Sequence, residues 1–148
     1  MGEITKLDQV TVTNLQRIPT RGGDILHGLK SNEVSFNGFG EAYFSWIESG
    51  EVKAWKKHLK MKMNLLVPSG LIKFVFHDQE TNSFREISIG ESNYCRITVP
   101  NEIWFGFQGI TEKSSLLLNI ASIPHDPTEI ERVNKDQFDY NWNKEEHL

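Results

Sequence analysis

The clearest structural signal in the sequence is in residues 63–77, which read MNLLVPSGLIKFVFH. Two short runs rich in Leu, Val, Ile and Phe flank the triplet Pro68-Ser69-Gly70. Proline and glycine so close together indicate a turn, and short apolar runs on either side of a turn are typical of buried antiparallel strands. We therefore predict strands over 63–67 and 71–77, joined by a tight turn.

Segments of the same kind occur on both sides of this pair. Short runs rich in β-branched and aromatic residues predict further strands, and turn signals separate them. These strands are predicted over 43–47, 52–58, 84–89, 94–99 and 115–123. Because the strands are short and no helices alternate with them, the pattern predicts an antiparallel sandwich or barrel. The predicted fold class is all-β.

One exception to this pattern is a short C-terminal helix. Asp126 suits a helix N-cap, Pro127 suits the first helical position, and Glu129 places a carboxylate in the first turn. We predict a helix from Pro127 to about Asn134. The charged end of the chain, from about residue 143, is expected to fray.

Size and charge limit the possible classes of function. The 148 residues suit one domain spanning 1–148, and the net charge of −4 does not favour a nucleic-acid partner. No apolar run has the length of a membrane helix, and no hydrophobic signal-peptide run follows the first residues. The single Cys95 excludes an internal disulfide framework and fits a reducing compartment. We therefore expect a cytoplasmic protein with neither a membrane nor a nucleic acid as partner.

A regular spacing of glycines and polar residues resembles the first motif of the cupins, which are double-sheet jelly rolls. The matching positions are Gly50, Lys56, His58, Met63 and Gly70. In metal-binding cupins two His and one Glu stand where this chain has Lys56, His58 and Met63, and a further His stands at Phe105. A divalent metal needs several N or O donors that converge. One imidazole beside an amine, a thioether and a phenyl ring predicts no metal site and no cofactor.

Longer strings around this motif resemble a known family. In order, these are GEVKAWKKH, VPSGLIKFVFHDQETNSF, YCRITVPNEIWFGFQG, LLLNIASIPHDPTE and FDYNW. They resemble the blocks of the dTDP-4-dehydrorhamnose 3,5-epimerase family over about residues 20–142. The resemblance implies a cupin-type jelly roll, usually a homodimer, that acts on a nucleotide-linked 4-keto-6-deoxyhexose in surface-polysaccharide synthesis. Related members of the superfamily are 3,4-ketoisomerases.

The resemblance also implies catalytic residues. The family base, a histidine, falls on His58, and its carboxylate partner is expected at Asp139 or, as the second choice, Asp126. A loop carboxylate of the family falls on Asp78. Removing a proton next to a ketone needs a positioned base of near-neutral pKa, and histidine suits that range.

Other positions of the family pattern are changed. The family's catalytic tyrosine falls on Asn119, so Tyr140, Tyr43 or a water is expected to replace it as proton donor. The family's lysine falls near Met63, with Lys62 next to it. These changes leave double epimerisation, single-centre epimerisation and ketoisomerisation open.

Several side chains are candidates for substrate binding. Five lysines between residues 53 and 62, among them Lys56 and Lys62, either protect an exposed edge strand or form a positive rim for a diphosphate. Arg96 is a further candidate for the phosphates, and Trp104 is the first choice for stacking on a base or a sugar. Met63, Phe105 and Asn119 complete the predicted binding residues.

Three functions remain open from the sequence. The first is a metal-independent epimerase or isomerase of a nucleotide-linked 4-keto-6-deoxyhexose, with His58 as base. The second is a non-catalytic cupin that binds a nucleotide sugar. The third is a metal-dependent cupin oxygenase or isomerase, which the predicted ligand positions disfavour.

Overall fold

The computed structural model describes residues 5–143 and is built almost entirely from β-strands. The strands are β1 (Thr11–Asn14), β2 (Arg17–Ile18), β3 (Ile25–Leu26), β4 (Glu41–Ile47), β5 (Val52–His58), β6 (Met63–Ser69), β7 (Leu71–Asp78), β8 (Ser83–Gly90), β9 (Cys95–Val99), β10 (Trp104–Gly109), β11 (Ser115–Ala121) and β12 (Ile130–Arg132). Two single 3-10 turns cover Lys6–Gln9 and Pro127–Glu129. The prediction of an all-β chain is confirmed.

Ten of the strands form two five-stranded antiparallel sheets that pack face to face. The first, here called sheet one, has the order β1-β9-β6-β11-β4, and sheet two has the order β12-β5-β10-β7-β8. Strands β2 and β3 form a separate small ribbon. Two packed antiparallel sheets are the architecture of a jelly roll.

Alternation along the strands of sheet two buries both of its faces. On β7, Phe74 and Phe76 point into the core between the sheets, whereas Val75 points to the opposite face and joins a second apolar cluster there. Trp55, Trp104, Phe138 and Trp142 make up the rest of that cluster. Sheet two therefore has an inner face towards sheet one and an outer face covered by the C-terminal segment.

The turn between β6 and β7 depends on a glycine. Gly70 has a φ of +90°, and a Cβ atom there would collide with the side chain of Ser115. A left-handed backbone without room for a side chain requires glycine at this position. The turn predicted at Pro68-Ser69-Gly70 is confirmed, and it carries the chain from β6 in sheet one to β7 in sheet two.

The predicted C-terminal helix is wrong. Asp126 does cap a turn, because its Oδ1 accepts a hydrogen bond of 3.0 Å from Thr128 N, but the helix ends after the single turn Pro127–Glu129. The chain then forms β12, which pairs with the edge of sheet two and places Ile130 opposite His58. Pairing with the free edge of β5 satisfies backbone groups that would otherwise bond within a helix.

No helix within residues 5–143 has the length and apolar character needed to cross a bilayer.

Candidate active site

A cavity of about 470 Å³ lies between the two sheets, towards the side of the sandwich where β4 and β12 are the edge strands. Sheet one contributes Tyr43, Ser45, Met63, Leu65, Leu117 and Asn119 to its lining. The sheet-two side is lined by Lys53, Ala54, Trp55, Lys56, Phe74, Phe105, Phe107, Arg132 and Val133. A mostly apolar cavity of this size with a few polar groups is typical of a small-molecule site.

The polar groups of the sheet-two wall are basic. Lys56 is half-buried, and its Nζ lies 5.9 Å from the centre of the Phe105 ring. Arg132 stands directly opposite Lys56 in the β12–β5 pairing. Burial lowers the pKa of Lys56, the positive charges of Arg132 and Lys53 lower it further, and Glu129 opposes the change. The Lys56 ammonium is therefore a stronger acid than an exposed lysine.

A buried pair of His58 and Glu129 lies next to this wall. His58 Nδ1 is 2.6 Å from Glu129 Oε2, and both side chains are almost fully buried. Glu129 Oε1 also accepts hydrogen bonds from the backbone N–H groups of Met61, at 2.8 Å, and Lys60, at 3.1 Å. Glu129 is thus held by the chain that follows β5, and it fixes the orientation of the imidazole at the end of that strand.

The two pKa shifts of this pair give a definite charge state. Burial lowers the pKa of His58 by more than the bond and charge of Glu129 raise it. For Glu129, burial acts to raise the pKa, but the hydrogen bonds from His58, Met61 and Lys60 outweigh this effect, so the pKa is lowered. At neutral pH the pair is therefore a neutral imidazole beside a carboxylate.

This charge state determines which nitrogen can accept a proton. A carboxylate at Nδ1 requires the proton of the neutral ring to sit on Nδ1, so Nε2 keeps a free lone pair. Nε2 is buried, and no polar atom of residues 5–143 bonds to it. The arrangement of carboxylate, oriented imidazole and free Nε2 is that of a general base.

The His58–Glu129 pair lies directly behind the cavity wall. The imidazole of His58 stacks on the ring of Phe105, with 6.1 Å between ring centres, and Phe105 lines the cavity. His58 follows Lys56 by two residues on β5, so both side chains lie on the inner face of sheet two. The cavity lining does not include His58 itself, so a ligand in the cavity meets Phe105 and Lys56 before His58.

The opposite wall carries a hydrogen-bonded pair on sheet one. Tyr43 on β4 and Asn119 on β11 stand directly opposite each other, and Asn119 Nδ2 donates to the Tyr43 hydroxyl oxygen at 2.9 Å. Asn119 is buried, and its Nδ2 also lies 3.4 Å from Met63 Sδ. The cavity thus has a phenol on one wall and basic groups on the other.

Of the predicted binding residues, the structure places Lys56, Met63, Phe105 and Asn119 in the cavity lining. The other three, Arg96, Trp104 and Lys62, lie outside this cavity. Arg96 is buried and donates to Gly28 O and to Glu33, each at 2.6 Å, which ties the N-terminal loop to sheet one. Trp104 packs against Phe138 on the outer face of sheet two. Lys62 lines a separate surface depression.

The predicted partners of His58 need correction as well. Glu129, not Asp139 or Asp126, is the carboxylate bonded to His58. Asp139 is exposed in the C-terminal segment, and Asp126 caps the turn that carries Glu129. Asp78 closes the β7–β8 turn, where its Oδ1 accepts from Glu80 N at 3.0 Å.

Tyr140, a predicted proton donor, is also outside the cavity. Its ring packs on Trp142 and Phe84 on the outer face of sheet two, and its hydroxyl donates to Glu86 at 2.8 Å. Sheet two itself separates Tyr140 from the cavity.

The sequence interpretation missed Glu129 and Arg132 as residues of the site. Glu129 was assigned to the first turn of a helix because Asp126 and Pro127 precede it, and Arg132 then fell inside that helix. Only the pairing of β12 with β5 brings them to His58 and Lys56. The β-branched residues Ile130 and Val133, on either side of Arg132, favour a strand in this segment and are the feature from which it could have been predicted.

Within residues 5–143, no three or more His, Cys, Asp and Glu side chains are grouped so that they could hold a metal ion. The side chains at the cupin ligand positions, Lys56, His58, Met63 and Phe105, offer one imidazole beside an amine, a thioether and a phenyl ring.

Comparisons with known proteins give relatives in sequence and in structure, although no protein-family model matches the chain. The chain is 32% identical over 117 residues to the "Probable low-salt glycan biosynthesis epimerase Agl13" of Haloferax volcanii, a match over 72% of this chain and 74% of that protein. A solved dTDP sugar isomerase from Desulfovibrio desulfuricans G20 superimposes with a TM-score of 0.89 and 29% identity, over 98% of both chains.

More distant solved structures share the fold. The 3,4-ketoisomerase QdtA from Thermoanaerobacterium thermosaccharolyticum, in complex with TDP, has a TM-score of 0.71 and 18% identity over 87% of this chain and 90% of its own. The dTDP-4-dehydrorhamnose 3,5-epimerase from Sulfolobus tokodaii has a TM-score of 0.76 and 16% identity over 88% and 80% of the two chains. The two similarities show a common architecture.

Proposed function

The chain belongs to the dTDP-4-dehydrorhamnose 3,5-epimerase-like family of epimerases and isomerases, and we propose that it moves a proton next to the ketone of a nucleotide-linked 4-keto-6-deoxyhexose. The observation that carries this proposal is the neutral imidazole of His58, which Glu129 holds with Nε2 unpaired behind the cavity wall. A neutral imidazole held in one tautomer suits the abstraction of a weakly acidic carbon-bound proton.

This mechanism requires the carbon beside the ketone to reach His58 Nε2 past Phe105, which stacks on the imidazole at the cavity wall. Nε2 then takes the proton from that carbon, and the ketone oxygen gains negative charge. Lys56 lies on the same face of the same strand, and its lowered pKa makes its ammonium a better donor to that oxygen. A positioned cation in an apolar cavity stabilises a developing oxyanion more than water does. Glu129 keeps Nδ1 of His58 protonated during the transfer and stabilises the imidazolium that forms.

The nucleotide part of the substrate needs a site for its diphosphate. Lys53 and Arg132 line the cavity and are exposed, so both can reach phosphate oxygens at its mouth. Arg132 suits this role because a guanidinium matches a phosphate with two parallel hydrogen bonds. The proposed pose puts the sugar between Lys56 and Tyr43 and the diphosphate towards β12. The crystal complexes of QdtA, which hold TDP and TDP-4-keto-6-deoxyglucose, support a ligand of this class.

The proposed chemistry does not require a metal ion. The imidazole removes the proton and the lysine stabilises the oxyanion, so both tasks are assigned to side chains.

The test is isotope exchange in deuterated water with dTDP-4-keto-6-deoxyglucose, followed by NMR, with the GDP and UDP analogues in parallel. The wild-type protein is expected to exchange hydrogen at C3 or C5 of the sugar, and His58→Asn is expected to abolish the exchange while keeping the folded spectrum. His125→Asn is the matched control, because His125 is exposed and lies outside the cavity lining. Binding of nucleotide sugar without exchange by the wild-type protein would contradict catalysis and support a binding cupin.

We also propose the setting of the reaction. The name of the Haloferax volcanii relative supports a step in glycan biosynthesis, and the finer proposal is a surface polysaccharide such as an O-antigen, capsule or lipopolysaccharide. The chain has a single cysteine, the buried Cys95, and the absence of an internal disulfide framework supports our proposal of a cytoplasmic location.

A homodimer is proposed as the working form. On the edge strand β4, the exposed fraction is 64% for Phe44 and 60% for Trp46, and for Phe39, which precedes the strand, it is 67%. Large exposed apolar side chains grouped on one surface indicate an interface, and an unpaired edge strand favours pairing with another chain.

A further inference from the structure

The cavity contains a phenol whose oxygen is fixed and whose proton is free to be donated. Tyr43 lines the cavity from sheet one, and its hydroxyl oxygen accepts a hydrogen bond from Asn119 Nδ2 at 2.9 Å. Because Asn119 donates to this oxygen, that bond does not use the O–H of Tyr43, which stays available to a ligand. Asn119 is itself held in the core, where its Nδ2 lies 3.4 Å from Met63 Sδ.

The other phenols of the chain are committed elsewhere. The sequence has three tyrosines, and the Tyr94 hydroxyl donates to His27 O at 2.7 Å outside the cavity lining. Tyr140 donates to Glu86 on the outer face of sheet two. Tyr43 is therefore the phenol that a ligand in the cavity contacts.

Tyr43 and the basic groups lie on opposite walls. Tyr43 and Asn119 belong to sheet one, whereas Lys56 and His58 belong to sheet two, and the cavity lies between the sheets. A planar enolate bound between two walls turns one face to each. A proton taken by the sheet-two wall and replaced from the sheet-one wall arrives on the opposite face, which inverts the carbon.

We infer that Tyr43 is the proton donor of an inverting reaction and that Asn119 is its positioning residue, so the chain is an epimerase and not a 3,4-ketoisomerase. The inference rests on the proposed function, because it requires a sugar enolate in the same cavity. A single base on the sheet-two wall returns a proton to the face from which it came, so it does not by itself invert a carbon. A proton donor on the opposite wall therefore favours epimerisation over ketoisomerisation.

The transfers balance in protons and electrons. His58 Nε2 takes the carbon-bound proton, and the electron pair of that C–H bond becomes the enolate. The enolate carbon then takes the phenolic proton of Tyr43 on its other face, which forms the new C–H bond and leaves a phenolate. Exchange with water returns a proton to Tyr43 and removes one from His58, so no oxidant or reductant is needed.

Tyr43→Phe separates this role from a structural one. In deuterated water with dTDP-4-keto-6-deoxyglucose, the variant is expected to keep deuterium exchange at the reacting carbon, because His58 still removes and returns hydrogen on its own face. Formation of the inverted sugar should fall by on the order of 10²–10⁴, the usual contribution of a general acid. Tyr94→Phe is the matched control and should keep both rates, since its hydroxyl lies outside the cavity lining.

The ratio of inversion to exchange also tests Asn119. Asn119→Ala should lower this ratio in the same direction as Tyr43→Phe, whereas a change that only loosens the fold lowers both rates together. Inversion at the wild-type rate in Tyr43→Phe, or parallel loss of exchange and inversion, would overturn the inference. A wild-type protein that exchanges deuterium but yields only a 3-keto isomer would overturn it and leave the proposed function intact, whereas a wild-type protein without exchange would refute the proposed function itself.

Discussion

His58 Nδ1 lies 2.6 Å from Glu129 Oε2, and this bond joins the end of β5 to a turn 71 residues further along the chain. The carboxylate is also held by the backbone of Lys60 and Met61, which directly follow His58. The geometry of the proposed base is therefore set by two segments that meet only through the pairing of β12 with β5.

Glu129→Gln is expected to impair catalysis more than folding. The amide can still accept the backbone hydrogen bonds, but it no longer stabilises an imidazolium. The rate of deuterium exchange at the sugar should fall by roughly 10²-fold or more, the effect of losing a well-placed charge-assisted bond in an active site. Glu131→Gln is the matched control, because Glu131 on β12 is exposed and makes an ion pair with Lys57 on β5, outside the cavity lining. Equal exchange rates in Glu129→Gln and the wild type would remove Glu129 from the mechanism.

The activity should depend on pH through His58. Burial lowers its pKa below the usual value near 6.5, and the proposed base acts in its neutral form. The exchange rate is therefore expected to be independent of pH around neutrality and to fall only in acid, below pH 6.5. A pH–rate profile of kcat/KM measures this directly. A rate that already halves near pH 7 would show that the proposed base is a different group.

Stability should follow the same titration. The unfolded chain binds a proton at His58 near pH 6.5, whereas the folded protein binds it only at lower pH, so the unfolded state holds more protons between these values. The free energy of unfolding contributed by His58 is thus present above pH 6.5 and decreases as the pH falls through that interval. Denaturant titrations should show a smaller acid-dependent loss in His58→Asn. Parallel pH curves for the two proteins would disprove the linkage.

Lys56→Met is expected to lower activity without lowering stability. The half-buried ammonium lies against Phe105 and opposite Arg132, and its removal relieves both desolvation and repulsion between positive charges. The melting temperature should stay the same or rise, while the exchange rate falls by about 10²-fold or more because the oxyanion loses its donor. Lys60→Met, at an exposed position of the following turn, serves as control. A Lys56→Met protein with full exchange would exclude the assigned role of Lys56.

The proposed dimer is tested at β4. Phe44→Glu places a charge on the exposed face of this strand, and buried charges are costly in an interface. The molar mass measured by light scattering should drop from that of two chains to that of one. Lys135→Glu changes an exposed residue of the C-terminal segment and should leave the mass unchanged. A wild-type protein with the mass of one chain would refute the dimer.

The local parts of the fold were accessible from the sequence. The turn between β6 and β7 follows from Pro68-Ser69-Gly70 because the turn chemistry is contained in three adjacent residues, whereas the placement of the two strands in different sheets is not. Strand β10 was not predicted, since Gly106 and Gly109 interrupt its apolar run. The first strand, β1, is mostly exposed and lacks an apolar pattern that would identify it.

The site was predictable only in part, because its geometry depends on long-range pairing. His58 and Lys56 stand two residues apart on one predicted strand, so their common face follows from the alternation of a strand. Glu129 could not be assigned, because its apparent helix start concealed a strand that pairs with β5. The position of Trp104 could not be predicted for a different reason. Both faces of sheet two are buried, so the sequence does not show whether an aromatic residue of this sheet faces the cavity or the outer cluster.

The position of β12 near the end of the described chain has a consequence for biosynthesis. A nascent polypeptide that has emerged from the ribosome only as far as Asp126 already contains His58, Lys56 and Tyr43, but it lacks Glu129, Arg132 and the segment that covers Trp55. The His58–Glu129 pair, the proposed base and its partner, cannot assemble until translation has passed Glu129. Premature termination there would give a polypeptide with an unsupported imidazole and an uncovered aromatic surface, which is a target for chaperones and proteases.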